Sequence, residues 1–130
     1  MTDNADIARS FLSVLQSEGL DAAIQRHGAP GFVWWAAGLG EAQDKAARIG
    51  AIVGENLDEN GMRIEISTVT SSDNRVAVEA ESFSTLKSGV KYNNQYVFMF
   101  YLEDGKVKIM KEYNDTAHAD AVWGKLFSEI

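Results

Sequence analysis

The sequence predicts an α+β domain, and three observations predict it. Apolar stripes at helical spacing fill most of the first 57 positions. Four β-rich segments then follow one another from residue 62 to residue 115, and one more helical stripe closes the chain. Helices grouped before a run of strands joined by short turns place the helices against an antiparallel meander.

The elements follow in order. Ile7, Phe11, Val14 and Leu15 lie at i, i+4, i+7 and i+8, one face of a helix, with Asp3 or Asn4 to cap it. Gly19 breaks that helix. Leu20, Ala23, Ile24 and His27 continue as a second, short one, which "HGAPG" ends with Gly28 and the only proline, Pro30. "FVWW" predicts a short strand. Ala42, Ala46, Ile49 and Val53 mark a third helix from Glu41 to about Leu57. The segments "MRIEISTV", "RVAVEAESFSTL", "VKYNNQYVFMFYLE" and "KVKIMKEYND" are divided by "SSDN", "KSGV" and "EDGK", each a hairpin turn. In "TAHADAVWGKLF", Ala119, Val122, Trp123, Leu126 and Phe127 share one helical face.

A chain of 130 residues, 45% hydrophobic and 24% charged, carries one core, so residues 1–130 form a single domain. A formal net charge of −7 without a Lys/Arg cluster argues against nucleic acid. No cysteine is present, which removes thiolate chemistry, disulfides and cysteine metal sites. The acidic "MTDNADIARSF" is not a signal peptide and no apolar run reaches spanning length, so the expectation is a cytoplasmic protein without membrane contact. Two distant histidines give no metal-ligand spacing. "GLGEAQDK" lacks the phosphate-loop pattern, so neither metal nor cofactor is expected.

Turn length fixes register, and register fixes neighbours. With Ser88-Gly89 and Asp104-Gly105 as two-residue turns, Glu81 pairs with Tyr96 and Tyr96 with Tyr113, while Phe83 pairs with Asn94 and Asn94 with Asp115. This face also carries Phe98, Phe100 and Ile109, so it is apolar at one end and hydrogen-bonding at the other, as a small-molecule pocket is. The opposite face collects Val78, Ala80, Val97, Met99, Tyr101 and Met110, with Gln95, Lys108 and Glu112 among them. It is apolar enough to need a cover, most simply a second copy of the chain in a homodimer. A slip of one residue or one bulge exchanges the two faces.

Asp115 and Glu81 are the candidate catalytic carboxylates. Asp115 followed by Thr116 is also a helix N-terminus, where a carboxylate caps free N–H groups and suits the positive end of the dipole. Glu81 is either desolvated beside Tyr96, and so a better acid or base, or a solvated strand residue. Trp34 and Trp35 alternate, so one faces the pocket and the other packs elsewhere. Phe83, Asn94, Tyr96, Phe98 and Tyr113 line the same face. His118 is an ordinary first-turn helix residue or a proton shuttle at the rim. Tyr92, Tyr96 and Tyr113 carry hydroxyls that need partners when buried. Glu112, on the other face, is an interface residue paired with Lys108 or a partner chain.

The helix order, "FVWWAAG", "VAVEAES", the run from Tyr92 to Phe98 and "EYNDTAHADAVW" resemble the SnoaL-like branch of the nuclear transport factor two superfamily over nearly the whole chain. The superfamily includes ketosteroid isomerases, polyketide cyclases and limonene epoxide hydrolases. The resemblance implies a cone-shaped α+β barrel: three N-terminal helices on a strongly curved antiparallel sheet, a closing C-terminal helix, an apolar cavity, and dimers formed through the outer sheet face. The isomerases' aspartate is absent, since Trp34 or Trp35 stands at its place. The epoxide hydrolases' arginine between two aspartates is also missing from the strands. The cyclases' aspartate at the end of the last long strand matches Asp115.

Two functions follow. The first is a cofactor-free isomerase, cyclase or hydrolase-type enzyme that moves a proton on a small apolar substrate through a carboxylate, with Tyr96, Tyr113 or Asn94 stabilising an oxyanion. The second is a protein that binds a hydrophobic ligand, or serves as a scaffold, without turnover.

Overall fold

In the computed structural model, which describes residues 3–128, the first helix begins where a side chain can hold its free amides. The Asp3 carboxylate accepts the Asp6 N–H at 2.8 Å and starts α1, Asn4–Glu18. Gly19, at φ 96°, ends it and starts α2, Leu20–His27. A positive φ is one that glycine adopts without the clash a Cβ would bring. The predicted stripe is the buried one: Ile7, Ala8, Phe11, Leu12 and Val14 face the sheet.

Strand β1, Gly28–Ala36, contains "FVWW" and is longer than it. The two-residue β2, Gly40–Glu41, folds back on it. Strands β3, Arg63–Ser72, β4, Arg75–Phe83, β5, Gln95–Glu103, and β6, Lys106–Asn114, form the expected meander, and α4, Thr116–Phe127, follows. The helix α3, Ala46–Asn56, begins five residues later than its apolar stripe suggests. The Ala42 N–H instead donates to the Trp34 carbonyl at 2.8 Å, which keeps that stretch beside β1.

The sheet has six strands in the order β2-β1-β6-β5-β4-β3, and it is open, with β2 and β3 at its edges. It is mixed rather than antiparallel, because β1 runs parallel to β6. The long connection through α3 and the meander lets β1 approach β6 in that direction. Helices α1 and α2 cover one face, here the inner face, and bury Phe11, Phe32, Val76, Val78, Phe98, Phe100 and Met110. The third helix does not join this layer: α3 has no fully buried residue. Its Val53 packs instead on a second cluster of Leu57, Leu86, Tyr92 and Trp123, to which α4 contributes. Among the described residues no helix is long and apolar enough to cross a membrane.

Candidate functional site

Two local features of the backbone decide which side chains meet. The first is the β4–β5 hairpin. It closes over three residues, Lys87, Ser88 and Gly89, rather than two: the Leu86 N–H donates to the Val90 carbonyl and the Gly89 N–H to the Leu86 carbonyl, both at 2.8 Å. Gly89 takes the left-handed conformation this loop requires, at φ 92°. The pairing therefore slips by one residue from the two-residue expectation, and Ala80 faces Tyr96 while Glu81 faces Gln95.

The second feature lies in β6. Its turn at Asp104-Gly105 is the expected two-residue one, with φ of 51° and 75° and Glu103 opposite Lys106. Leu102 pairs with Val107 but Tyr101 with Ile109, so Lys108 is an extra residue, a bulge. Beyond it every side chain of β6 changes face. Asn114 rather than Tyr113 pairs with Tyr96, and Glu112 pairs with Phe98.

The inner face is thus built in rows. Val76, Phe100, Met110 and Trp34 form one; Val78, Phe98, Glu112 and Ala36 the next; Ala80, Tyr96 and Asn114 the third. Of the residues expected to line a pocket, Trp34, Asn94, Tyr96 and Phe98 share this face. Glu81, Phe83, Trp35 and Tyr113 do not. The slip turns Glu81 and Phe83 outward, the bulge turns Tyr113 outward, and Trp35 follows Tyr113, with ring centroids 5.2 Å apart. Phe83 lies under the Arg63 guanidinium, 4.8 Å from it. Val78, Ala80, Met110 and Glu112 make the reverse exchange and point inward.

Asp115 is exposed and caps α4, its carboxylate accepting the His118 N–H at 3.2 Å. The His118 ring stacks on Tyr92 at 5.3 Å. These two stand at the margin of the inner face rather than among its rows.

Glu112 is the ionisable group that the bulge brings in. Burial holds its carboxyl above the ordinary glutamate range, partly offset by the Asn114 amide, which donates to Oε2 at 3.0 Å, and by the nearby Trp34 indole. The residue keeps some accessible surface, yet protein atoms crowd its carboxyl on all sides, and it is this crowding that sets the desolvation. The Trp34 Nε1–H lies near enough to favour the charged carboxylate, but it makes no hydrogen bond of regular geometry. Asn114 Oδ1 is also buried without a partner. A donor and an acceptor without partners therefore flank a carboxyl of raised pKa.

The hydroxyls lie in the next rows. Ser82 Oγ is 3.3 Å from Tyr96 Oη, which is 3.3 Å from Tyr92 Oη. Burial raises the pKa of both tyrosines, and a charge on Glu112 raises each further. Two surface concavities lie toward the β3–β4 side. One of about 270 Å³ includes Glu65, Glu79, Glu81 and Tyr96, and one of about 350 Å³ includes Arg63, Phe83, Lys91 and Asn93. Neither contains Glu112. Among the described residues no group of three His, Asp or Glu is placed to hold a metal ion.

The sequence reading placed Glu112 on the outer face, as an interface residue paired with Lys108 or a partner chain; the structure turns it inward opposite Phe98 and pairs Lys108 with Glu103, and the signal for this was present. In "KVKIMKEYN" the apolar positions are 107, 109 and 110, so the alternation changes phase at the bulge and puts Glu112 in step with Met110.

A family model described as a SnoaL-like domain matches residues 8–110. No curated protein matches the chain in sequence. Among solved structures, the chain is similar to an NTF2-like protein of unknown function from Burkholderia pseudomallei (20% identity, 93% of this chain and 97% of that one, TM-score 0.73). It is also similar to TerC co-crystallised with polyporic acid (18% identity, 91% and 95%, TM-score 0.72) and to an LEH-like epoxide hydrolase from M. tuberculosis (16% identity, 88% and 84%, TM-score 0.66). At these identities the likeness is one of fold, and it fits the cone-shaped α+β architecture.

Proposed function

The chain belongs to the SnoaL-like domain family, and from that premise we propose that its inner sheet face is a small-molecule site where Glu112 transfers a proton to or from an apolar substrate without a cofactor. One observation carries this reading: a buried carboxyl of raised pKa stands where an apolar wall meets a cluster of hydroxyls. A carboxyl that keeps its proton above the usual range can protonate a carbonyl or epoxide oxygen and, once ionised, take a proton back. Tyr96 Oη lies one row away and suits the oxygen on which negative charge develops. The Trp34 N–H and Asn114 Oδ1 would be satisfied by an acceptor and a donor on the substrate. Isomerisation, cyclisation and water addition all use such a set. That relatives in fold include a protein crystallised with polyporic acid and one described as an LEH-like epoxide hydrolase supports a small-molecule site.

The test is Glu112→Gln, which keeps shape and removes the ionisable group. Against a panel of enolisable ketones and epoxides, turnover of any substrate found should fall on the order of 10²- to 10⁴-fold, while the thermal transition survives. Undiminished turnover removes Glu112 from the chemistry. A ligand carrier without turnover is the second reading. It is favoured by tryptophan at the place of the isomerases' aspartate and by the lack of an arginine in the inner rows described above. It predicts a saturable ligand whose affinity does not depend on whether residue 112 is Glu or Gln.

The outer face supports a proposed homodimer of different composition from the one the sequence suggested. Val97 and Tyr113 are 36% and 42% exposed. Met99, Tyr101, Ile109 and Trp35 surround them on β5, β6 and β1, and Lys111 Nζ lies 5.1 Å above the Trp35 ring. Met99→Lys would put an unpaired charge into this contact. It should shift sedimentation from dimer toward monomer, whereas a wild type that sediments as a monomer at micromolar concentration refutes the assembly.

A further inference from the structure

Nothing in the packing of α3 explains why its sequence, "AARIGAIVGEN", carries two glycines. A Cβ at Gly50 or Gly54 would meet nothing within 4 Å, and neither residue takes the left-handed conformation that demands glycine. Each weakens the helix relative to alanine, because the glycine backbone has more freedom to lose on folding. The ends give no compensation. Lys45 at the N-cap makes no side-chain hydrogen bond to the first turn, that turn holds no acidic residue, and the last turn holds no basic one.

Burial does not make up the difference. Ala46, Ile49, Ile52, Val53 and Asn56 form a half-buried face, and none is fully buried. Val53 packs on the cluster of Leu57, Leu86, Tyr92 and Trp123, whereas Ile49 and Ile52 belong to neither buried cluster. By contrast, α1 is capped by Asp3 and buries Phe11 and Leu12. The segments that flank α3 are nevertheless pinned. On one side the Ala42 N–H donates to the Trp34 carbonyl at 2.8 Å. On the other, the Lys87 N–H donates to the Asn56 carbonyl at 2.8 Å, the Asp58 N–H donates to the Thr85 carbonyl at 2.9 Å, and buried Leu57 pairs with Leu86. A weak helix is thus held between two fixed points.

We infer that α3 is a lid: between its anchors at Ala42 and Leu57 it unwinds while the rest of the protein stays folded, and lifts Val53 off the cluster that contains Tyr92 and Trp123. This uncovers one side of Tyr92, whose hydroxyl lies 3.3 Å from Tyr96 Oη at the hydrogen-bonding end of the inner face. Segments with little buried apolar surface open first, and the two glycines raise the population of the open form. That the lid admits a small molecule rests on the function proposed above, whereas the opening itself does not.

Native-state amide exchange at a series of low urea concentrations tests the opening without a ligand. The α3 amides from Gly50 to Asn56 should exchange on the order of 10²-fold faster than that of Leu12 in α1, and with little dependence on urea, because a local opening exposes little surface. Gly50→Ala and Gly54→Ala should each slow that exchange about fivefold, and together about twentyfold. Exchange of α3 with the urea slope of Leu12, or rates that the alanines leave unchanged, would overturn the lid. Binding of 4-nitrophenol, followed by stopped flow, tests what the lid guards. A gate that closes alike over the empty and the occupied site controls entry and exit equally, so the paired alanines should slow association and dissociation about twentyfold each and leave Kd unchanged. Unchanged rates refute the gating. A wild type that does not bind 4-nitrophenol counts against the small-molecule reading of the inner face, while the exchange data alone decide the opening.

Discussion

At one end of the inner face Val76, Val78, Phe98 and Phe100 pack against Phe11 of α1; at the other, one or two inward positions further along the same strands, stand Ser82, Asn94, Tyr96, Glu112 and Asn114. The alternation that builds the two ends is identical. The apolar end is nearly dry, with Phe100 and Val76 0% exposed, and its contribution is dispersion and area removed from water. The polar end satisfies most of its groups internally and leaves two without partners beside a carboxyl. Stability is concentrated where nothing is left to satisfy, and chemistry where something is.

The largest expected effect breaks the first end. Phe100→Ala leaves a cavity among Phe11, Phe98 and Met110, and a loss of about 3–5 kcal/mol is expected. Against a total near 5–15 kcal/mol, this should show as a large fall in the denaturant midpoint. If the loss stays below about 1 kcal/mol, the apolar end is not close-packed as described.

Glu112→Gln should act in the opposite direction. The unfolded chain ionises this glutamate near its ordinary 4.5, and the folded one higher. The folded protein therefore holds the proton more tightly, so this residue's contribution is full below the unfolded value and is lost as pH rises through the folded value. The Gln variant has no such slope. Its melting temperature should gain on the wild type as pH rises from about 4 to about 8, and parallel curves would mean that the carboxyl is solvated.

The smallest effects belong to the margin. Asp115→Ala removes the cap of α4 and should cost on the order of 1 kcal/mol, whereas Asp115→Asn, which caps as well, should change stability by a few tenths at most. If turnover falls in the Asn variant while stability holds, the acid or base lies at the margin instead of in the rows.

Much of this contrast was legible in the sequence, and the reason for the remainder is specific. The helix stripes at Ile7, Phe11 and Val14, the four meander strands and the inward set of Asn94, just before β5, and Tyr96, Phe98 and Phe100 on it all follow from periodicity, which is local. What periodicity does not report is the phase between strands. "LKSGV" closes over three residues instead of two, and "VKIM" hides a bulge; each moves a neighbouring strand by one position. With β5 as reference, both flanking strands were therefore read inside out. A candidate site assembled across three strands inherits both errors, and so Glu81 and Tyr113 took the places that Ala80, Asn114 and Glu112 occupy. The parallel pairing of β1 with β6 was out of reach for another reason: the residues that pair are more than seventy apart in sequence, and nothing local marks them.

The bulge at Lys108 also bears on how such a protein could change over evolutionary time. Lys108 is exposed, and its ammonium pairs with the Glu103 carboxylate at 3.2 Å, so a deletion of that single codon would disturb little packing of its own. The rest of β6 would keep its pairing with β5, because the residue removed is the unpaired one, and Glu112 and Asn114 would still face the interior in step with Met110. A lineage could in this way lose the bulge in a single mutational step and keep its acidic interior, without a substitution at any lining residue.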